Sequence, residues 1–266
     1  MTSFLQVKNI SKEFAGVKAL TDISIDFNKG EVHALLGENG AGKSTLIKII
    51  SGVYAPTSGS VLLDGKSCRF HNPRQALDRG IVVIHQELSI ANDLTVAENI
   101  YLGCEPRIQN GFFLDRKKME ADAQAILDFM EVDIRSTAVA RHLTAAQQQM
   151  VEIAKVISKN AQVVIMDEPT SSLSEHEIHA LFKQIGILRK NNIAIIYITH
   201  RLKELFEIAD RVTVLRDGCK VNTFSMKDVD EKTLVTSMVG REMKDYYNRQ
   251  KHTPGKELLR VEHLSR

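Results

Sequence analysis

Gly37-Glu38-Asn39-Gly40-Ala41-Gly42-Lys43-Ser44 fits G-x-x-x-x-G-K-S/T, the pattern of a loop that cradles phosphates, and its reading decides the fold. Glycines let successive backbone N–H groups curl toward one point with no Cβ in the way. Lys43 adds a mobile positive charge that can reach β- and γ-phosphates, and Ser44 offers a hydroxyl to Mg²⁺. Thr45-Leu46-Ile47-Lys48-Ile49-Ile50 then reads as a helix whose unpaired N–H groups and dipole also face the anion. Upstream, Glu31-Val32-His33-Ala34-Leu35-Leu36 reads as a buried strand feeding the loop. A Gly-rich turn arising by chance has no reason to sit between such a strand and such a helix.

Other buried strands are expected to deliver the remaining chemistry, because ligands of open parallel sheets sit beyond the carboxyl ends of the strands. Ala161-Gln162-Val163-Val164-Ile165-Met166-Asp167-Glu168 is an apolar run ending in two acids. Asp167 is read as a holder of Mg²⁺ and Glu168 as the base for a water that attacks a γ-phosphate. Ile193-Ala194-Ile195-Ile196-Tyr197-Ile198 ends in Thr199 and His200, and His200 is placed on the γ-phosphate or the attacking water. Ile81-Val82-Val83-Ile84 delivers His85-Gln86-Glu87; Gln86 either touches Mg²⁺ and positions water or is a solvated loop residue. Phe14 either stacks on an adenine ring or is a core aromatic at a strand end.

Residues 5–10 alternate apolar and polar, 12–20 read as a turn, and 20–27 alternate again, so a small antiparallel sheet precedes the loop. Ser60 to Lys66 reads as a strand ending in the hairpin signal Asp64-Gly65. Strand patterns vanish over residues 88–158. Thr95-Val96-Ala97-Glu98 has the spacing of a capping box, residues 105–111 read as a loop, and 117–132 and 145–157 carry apolar residues at helical spacing. A helical subdomain inserted between two strands of the sheet is predicted. Beyond Asp217-Gly218 periodicity fades, and residues 241–257, with Pro254-Gly255, read as a linker. Leu258-Leu259-Arg260-Val261-Glu262-His263-Leu264-Ser265-Arg266 echoes Phe4-Leu5-Gln6-Val7-Lys8-Asn9-Ile10-Ser11-Lys12, as the first strand of a second copy would. The expected organisation is one domain over 1–240, a linker over 241–257 and the start of a second domain at 258–266.

Composition limits the function classes. Hydrophobic content of 43% and charged content of 26% are ordinary for a globular domain, and a net charge of +2 gives no electrostatic argument for nucleic acid. No apolar run approaches the roughly 20 residues that span a bilayer, and no signal peptide is expected. Cys68, Cys104 and Cys219 show no C-x-x-C, and the histidines show no metal-ligand spacing.

Taken together, these residues resemble the ATP-binding cassette (ABC) ATPases of membrane transporters over nearly the whole chain. The resemblance implies an α/β P-loop NTPase of ABC type, with a RecA-like, mostly parallel sheet core, an N-terminal antiparallel β subdomain and an inserted α-helical subdomain. Residues 37–44 match the Walker A motif, 163–168 the Walker B with its catalytic Glu168, Gln86 the Q-loop, His200 the switch histidine and Phe14 the aromatic of the A-loop. Ser171-Ser172-Leu173-Ser174 lies at the D-loop, where the family usually ends in Asp. More narrowly, residues 37–46, 85–88 and 166–173 look like tandem ATPase subunits of bacterial importers of ribose, galactose, xylose and related sugars, whose first halves often carry a degenerate signature. Here Leu143-Thr144-Ala145-Ala146-Gln147 stands where the family reads Leu-Ser-Gly-Gly-Gln and faces ATP held by a partner domain. The implied ligands are ATP and Mg²⁺. The implied partners are integral membrane permease subunits near residues 88–114, a second ABC domain of the full-length chain and, indirectly, a periplasmic sugar-binding protein. No nucleic acid is implied, and the place of action is the cytoplasmic face of the inner membrane. Two rivals are a ribosome-associated tandem ABC ATPase, which expects an intact signature and a long charged linker, and a phosphate-loop small-molecule kinase, which leaves Asp167-Glu168 and His200 without a joint role.

Overall fold

The structure, a computed structural model, describes residues 3–85, 89–108, 113–171 and 173–240, together with Arg260 and Glu262. The N-terminal strands β1 (Leu5–Phe14) and β2 (Val17–Phe27) pair antiparallel and continue through β4 (Ser58–Leu63) and β5 (Lys66–Cys68) in the order β2-β1-β4-β5. The expected turn over residues 12–20 is much shorter: β1 runs on to Phe14 and the chain reverses at Ala15-Gly16. Register shifts between Val7 and Glu13, with Asn9 at φ 51, break the period-two pattern and disguise one long strand as a short one.

Apolar strands without a polar face are buried on both sides. The runs read as such, β3 (Val32–Leu36), β6 (Ile81–Ile84), β9 (Val163–Asp167) and β10 (Ala194–Ile198), lie parallel with β11 (Arg211–Arg216) in one sheet. The order is β12-β11-β3-β10-β9-β6, with β12 (Cys219–Ser225) antiparallel at the edge. Successive side chains point to opposite faces. Leu35, Ile165, Ile196 and Ile198 therefore share one core with the antiparallel sheet and with Leu46, Ile47, Ile49 and Ile50 of α1 (Lys43–Ile50). Ala34, Met166, Ile195 and Tyr197 share the other with the helices.

Those helices are α3 (Val96–Tyr101), α4 (Arg116–Phe129), α5 (Ala145–Ser158), α6 (Glu175–Lys190) and α7 (Leu202–Ile208); a short α2 (Pro73–Asp78) leads into β6. Thr95 and Glu98 form the expected capping box of α3. Asn99, fully buried, bonds the N–H and the carbonyl of Ala91 and so pins the segment that leaves β6 to the helical region. Within 88–158 the expectation of no strands is corrected by a small hairpin of β7 (Arg107–Ile108) and β8 (Phe113–Leu114). All its side chains are exposed, so no alternation marks it. The fading pattern after Gly218 is likewise corrected. β12 is a mostly exposed edge strand, and α8 (Glu231–Val239) buries only Leu234 fully. The linker at 241–257 lies outside the described residues, as does all of the 258–266 echo except Arg260 and Glu262.

Candidate functional site

β3 ends at Leu36 and the chain enters the glycine loop. A Cβ on Gly37 would sit 2.4 Å from the Leu215 carbonyl oxygen, so only glycine lets the loop pass the end of β11. Gly42, at φ 101, is the N-cap of α1 and offers no side-chain cap, and the first turn of the helix holds no acid. The leading N–H groups are thus left for an anion. The Ala41 N–H bonds the Glu38 carbonyl at 3.1 Å, and the loop is braced from behind: Gly218 donates to the Ala41 carbonyl at 3.3 Å and accepts from the Thr21 N–H at 2.8 Å. Gly37→Ala is expected to destabilise the fold by about 1–3 kcal/mol, the usual cost of overpacking, and to lower the melting temperature. A wild-type thermal melt would contradict the close approach to Leu215.

Lys43 Nζ donates to the Gly37 carbonyl at 2.6 Å and the Glu38 carbonyl at 3.0 Å, arching back over its own loop. Burial pulls its pKa down, while the Glu168 and Asp167 carboxylates pull it up. The loop and the tip of β9 enclose a cavity of about 270 Å³, with Asn39, Gly40, Lys43, Ser44 and Thr45 on one side and Asp167 and Glu168 on the other. Asp167 is the last residue of β9; burial and the neighbouring Glu168 push its carboxyl above the usual range, against the pull of His85, Lys43 and Lys48. Glu168 adopts φ 47, a left-handed conformation costly for a residue with a side chain. It is held there by its N–H on the Ile198 carbonyl at 3.0 Å and by the Ser171 N–H on its own carbonyl at 3.2 Å. His200 Nδ1 lies 3.2 Å from Glu168 Oε1, with the His side chain 63% and the Glu side chain 22% exposed.

Of the residues read as chemical in the sequence, Lys43, Ser44, Asp167 and Glu168 meet at one cavity, with His200 beside Glu168; Phe14 does not line it. Ala41 is buried behind the loop and Glu38 is exposed. Gln86 lies outside the described residues, as does Ser172. Phe14 ends β1, 38% exposed, its ring edge-on to Tyr54 at 5.2 Å with the Lys12 ammonium 4.8 Å from its centroid. None of residues 143–147 lines the cavity around Lys43. Thr144 instead caps α5: its Oγ1 accepts from the Gln147 N–H at 3.2 Å, and Gln147 Oε1 accepts from the Thr144 N–H at 3.0 Å. Ala145 and Ala146 follow as the first helical residues, with Leu143 packed against the core beside them. Ser174 likewise caps α6 in a capping box with Glu177. Sequence reasoning missed Ala19, which lines the cavity, and Gly218 behind the loop. Asp217-Gly218 was legible as a turn; its partner was not.

The donor set fits Mg²⁺, which takes oxygen ligands and usually one or two protein groups plus substrate phosphates. Ser44 and Asp167 supply a hydroxyl and a carboxylate to the same cavity. Among the described residues no group of three or more His, Cys, Asp or Glu is placed to hold an ion by itself.

A glycine cradle at a helix start, facing strand-end acids across a parallel sheet, defines a P-loop nucleotide-binding domain. The ABC transporter family model matches residues 20–171. The chain is 51% identical over 263 residues to a candidate ribose/galactose/methyl galactoside import ATP-binding protein of Agrobacterium fabrum, covering 98% of this chain and 52% of that protein. It is 47% identical over 262 residues to the arabinose import ATP-binding protein AraG of Escherichia coli, covering 98% and 52%. Among solved structures it is similar to the ADP conformation of an ATP-binding cassette of an ABC transporter, with a TM-score of 0.79 and 28% identity over 91% of this chain and 100% of that one. The chain therefore belongs to the ABC transporter family. It spans about half the length of the curated relatives it matches.

Proposed function

We propose that this chain binds and hydrolyses ATP to power sugar import through a membrane permease, as the first of two ABC domains in a longer protein. The observation that carries the ATPase reading is the meeting of Lys43, Ser44, Asp167 and Glu168 at one cavity, with His200 against Glu168. Sugar as cargo rests on the relatives, which are named for ribose, galactose and arabinose import; those names also favour the importer over a ribosome-associated ATPase. The tandem reading rests on their doubled length and on the echo of residues 4–12 at 258–266.

The work asked of the protein is positional and electrostatic. Loop N–H groups and Lys43 hold the β- and γ-phosphates, and Phe14 lies against the adenine. Ser44 and Asp167, with Gln86, would hold Mg²⁺, which would supply neutralisation of charge on the phosphate oxygens. Glu168 takes the proton of the water that attacks the γ-phosphate, and His200 holds that water or the phosphate in line. The second domain contributes an intact signature to this site, while Thr144 and its neighbours face the weaker site of the pair.

The permease meets the helical region. A groove of about 710 Å³ is lined there by Tyr101, Leu102, Gly103 and, from the flanking elements, by Arg74, Arg79 and Lys159. Leu102 is 48% exposed, an apolar anchor in a groove that carries Asp64 and Asp78 as well as the basic residues, with Arg74 paired to Asp78. No helix among the described residues is long and apolar enough to cross a membrane; the association proposed is peripheral, on the cytoplasmic face. Leu102→Asp is expected to abolish co-purification of the full-length protein with its permease while leaving the thermal shift by MgATP unchanged. Retained co-purification would remove the groove from the interface. Loss of MgATP-dependent ATPase activity in Glu168→Gln, argued below, tests the enzymatic reading.

A further inference from the structure

Glu204 is a buried acid that the reaction above does not use. It lies in the first turn of α7, 5% exposed, and both its oxygens are engaged. Thr170 Oγ1 donates to Oε1 at 2.7 Å, with Arg201 Nη1 3.5 Å from the same atom. Tyr197 OH donates to Oε2 at 2.8 Å and Thr199 Oγ1 at 3.0 Å. Burial, reinforced by the Glu204 charge, pushes the Tyr197 pKa far up, so the phenol stays a donor. A buried carboxylate is costly unless its lone pairs are filled, and a filled network fixes one geometry.

The donors come from β10 itself, through Tyr197, and from the two strand-end loops that carry the chemistry, through Thr170 and Thr199. Thr170 follows Glu168 by two residues on the β9 side; Tyr197 and Thr199 come just before His200 on the β10 side. One further bond joins the loop after β9 to the end of β10, the Glu168 N–H on the Ile198 carbonyl. We infer that Glu204 is a positioning residue: by taking hydroxyls from both loops at once it sets the distance between Glu168 and His200. The inference rests on the roles proposed for that pair.

The test measures MgATP turnover in the full-length protein, with affinity for a non-hydrolysable ATP analogue and melting temperature measured alongside. Thr170→Val keeps the shape and removes the hydroxyl; Glu204→Gln replaces one acceptor by a donor. Each is expected to lower kcat about 10- to 100-fold, the scale of a small misplacement of reacting groups, with analogue affinity held. The double variant is expected to be no slower than the slower single one, because both break one network. Thr170→Ser, which restores the hydroxyl, is expected to turn over like wild type. Unchanged kcat, a fall in kcat that only tracks affinity and melting temperature, or additive effects would overturn the inference. Glu168→Gln and His200→Ala are run beside them. If those two are slow while the Thr170 and Glu204 variants are not, the clamp alone fails; if those two are also unchanged, the catalytic assignment fails and the clamp has nothing to position.

Discussion

Glu168→Gln is expected to leave nucleotide binding intact and to slow hydrolysis by about two to four orders of magnitude, the usual worth of a general base. The argument is one of shape against charge. Glutamine has nearly the same volume, and the backbone holds that place residue 168, its N–H on Ile198 and its carbonyl under Ser171, do not involve the side chain. The loop groups proposed to bind phosphate are untouched. What disappears is the acceptor for a proton, since a carboxamide does not take one from water near neutral pH. His200, 3.2 Å away, loses its charged neighbour but keeps an oxygen to face. ATPase turnover in the full-length protein, with binding measured separately, is the check. Wild-type turnover would remove Glu168 from the role of base.

Lys43→Ala has the second large effect, and it falls on binding. A ligand at one hundred times its Kd stabilises a protein by about 2.7 kcal/mol, and losing the ammonium is expected to remove most of that stabilisation at the same MgATP concentration. The variant also loses two bonds within the loop, to the Gly37 and Glu38 carbonyls. Its ligand-free melting temperature therefore falls too, and the informative quantity is the shift produced by MgATP within each protein. A shift as large as that of wild type would show that the backbone N–H groups suffice without the lysine.

Much of the site was legible because its chemistry is local in sequence. The loop at 37–44, the acids at the end of β9 and the histidine after β10 each follow an apolar run that only a buried strand explains, and the sheet then brings the strand ends together. The parts that were not legible lack a buried face or act across long separations. β12 and the β7-β8 hairpin expose their side chains, so no period-two pattern marks them. β1 loses its pattern at its bulges. Glu204 reads in the sequence as one more acid on a short helix; only the fold shows three hydroxyls converging on it. Thr144 reads as a degraded signature serine, and only coordinates show its oxygen capping α5.

The brace behind the phosphate loop bears on how the protein comes into being. Gly218 bonds both Ala41 and Thr21, so the cradle is backed by a turn made late in synthesis. A nascent chain that has released the whole glycine motif, but not yet the turn between β11 and β12, carries the residues for holding a triphosphate without their finished arrangement. The two hydrogen bonds that back the cradle thus become available only after every residue of the helical region has been made.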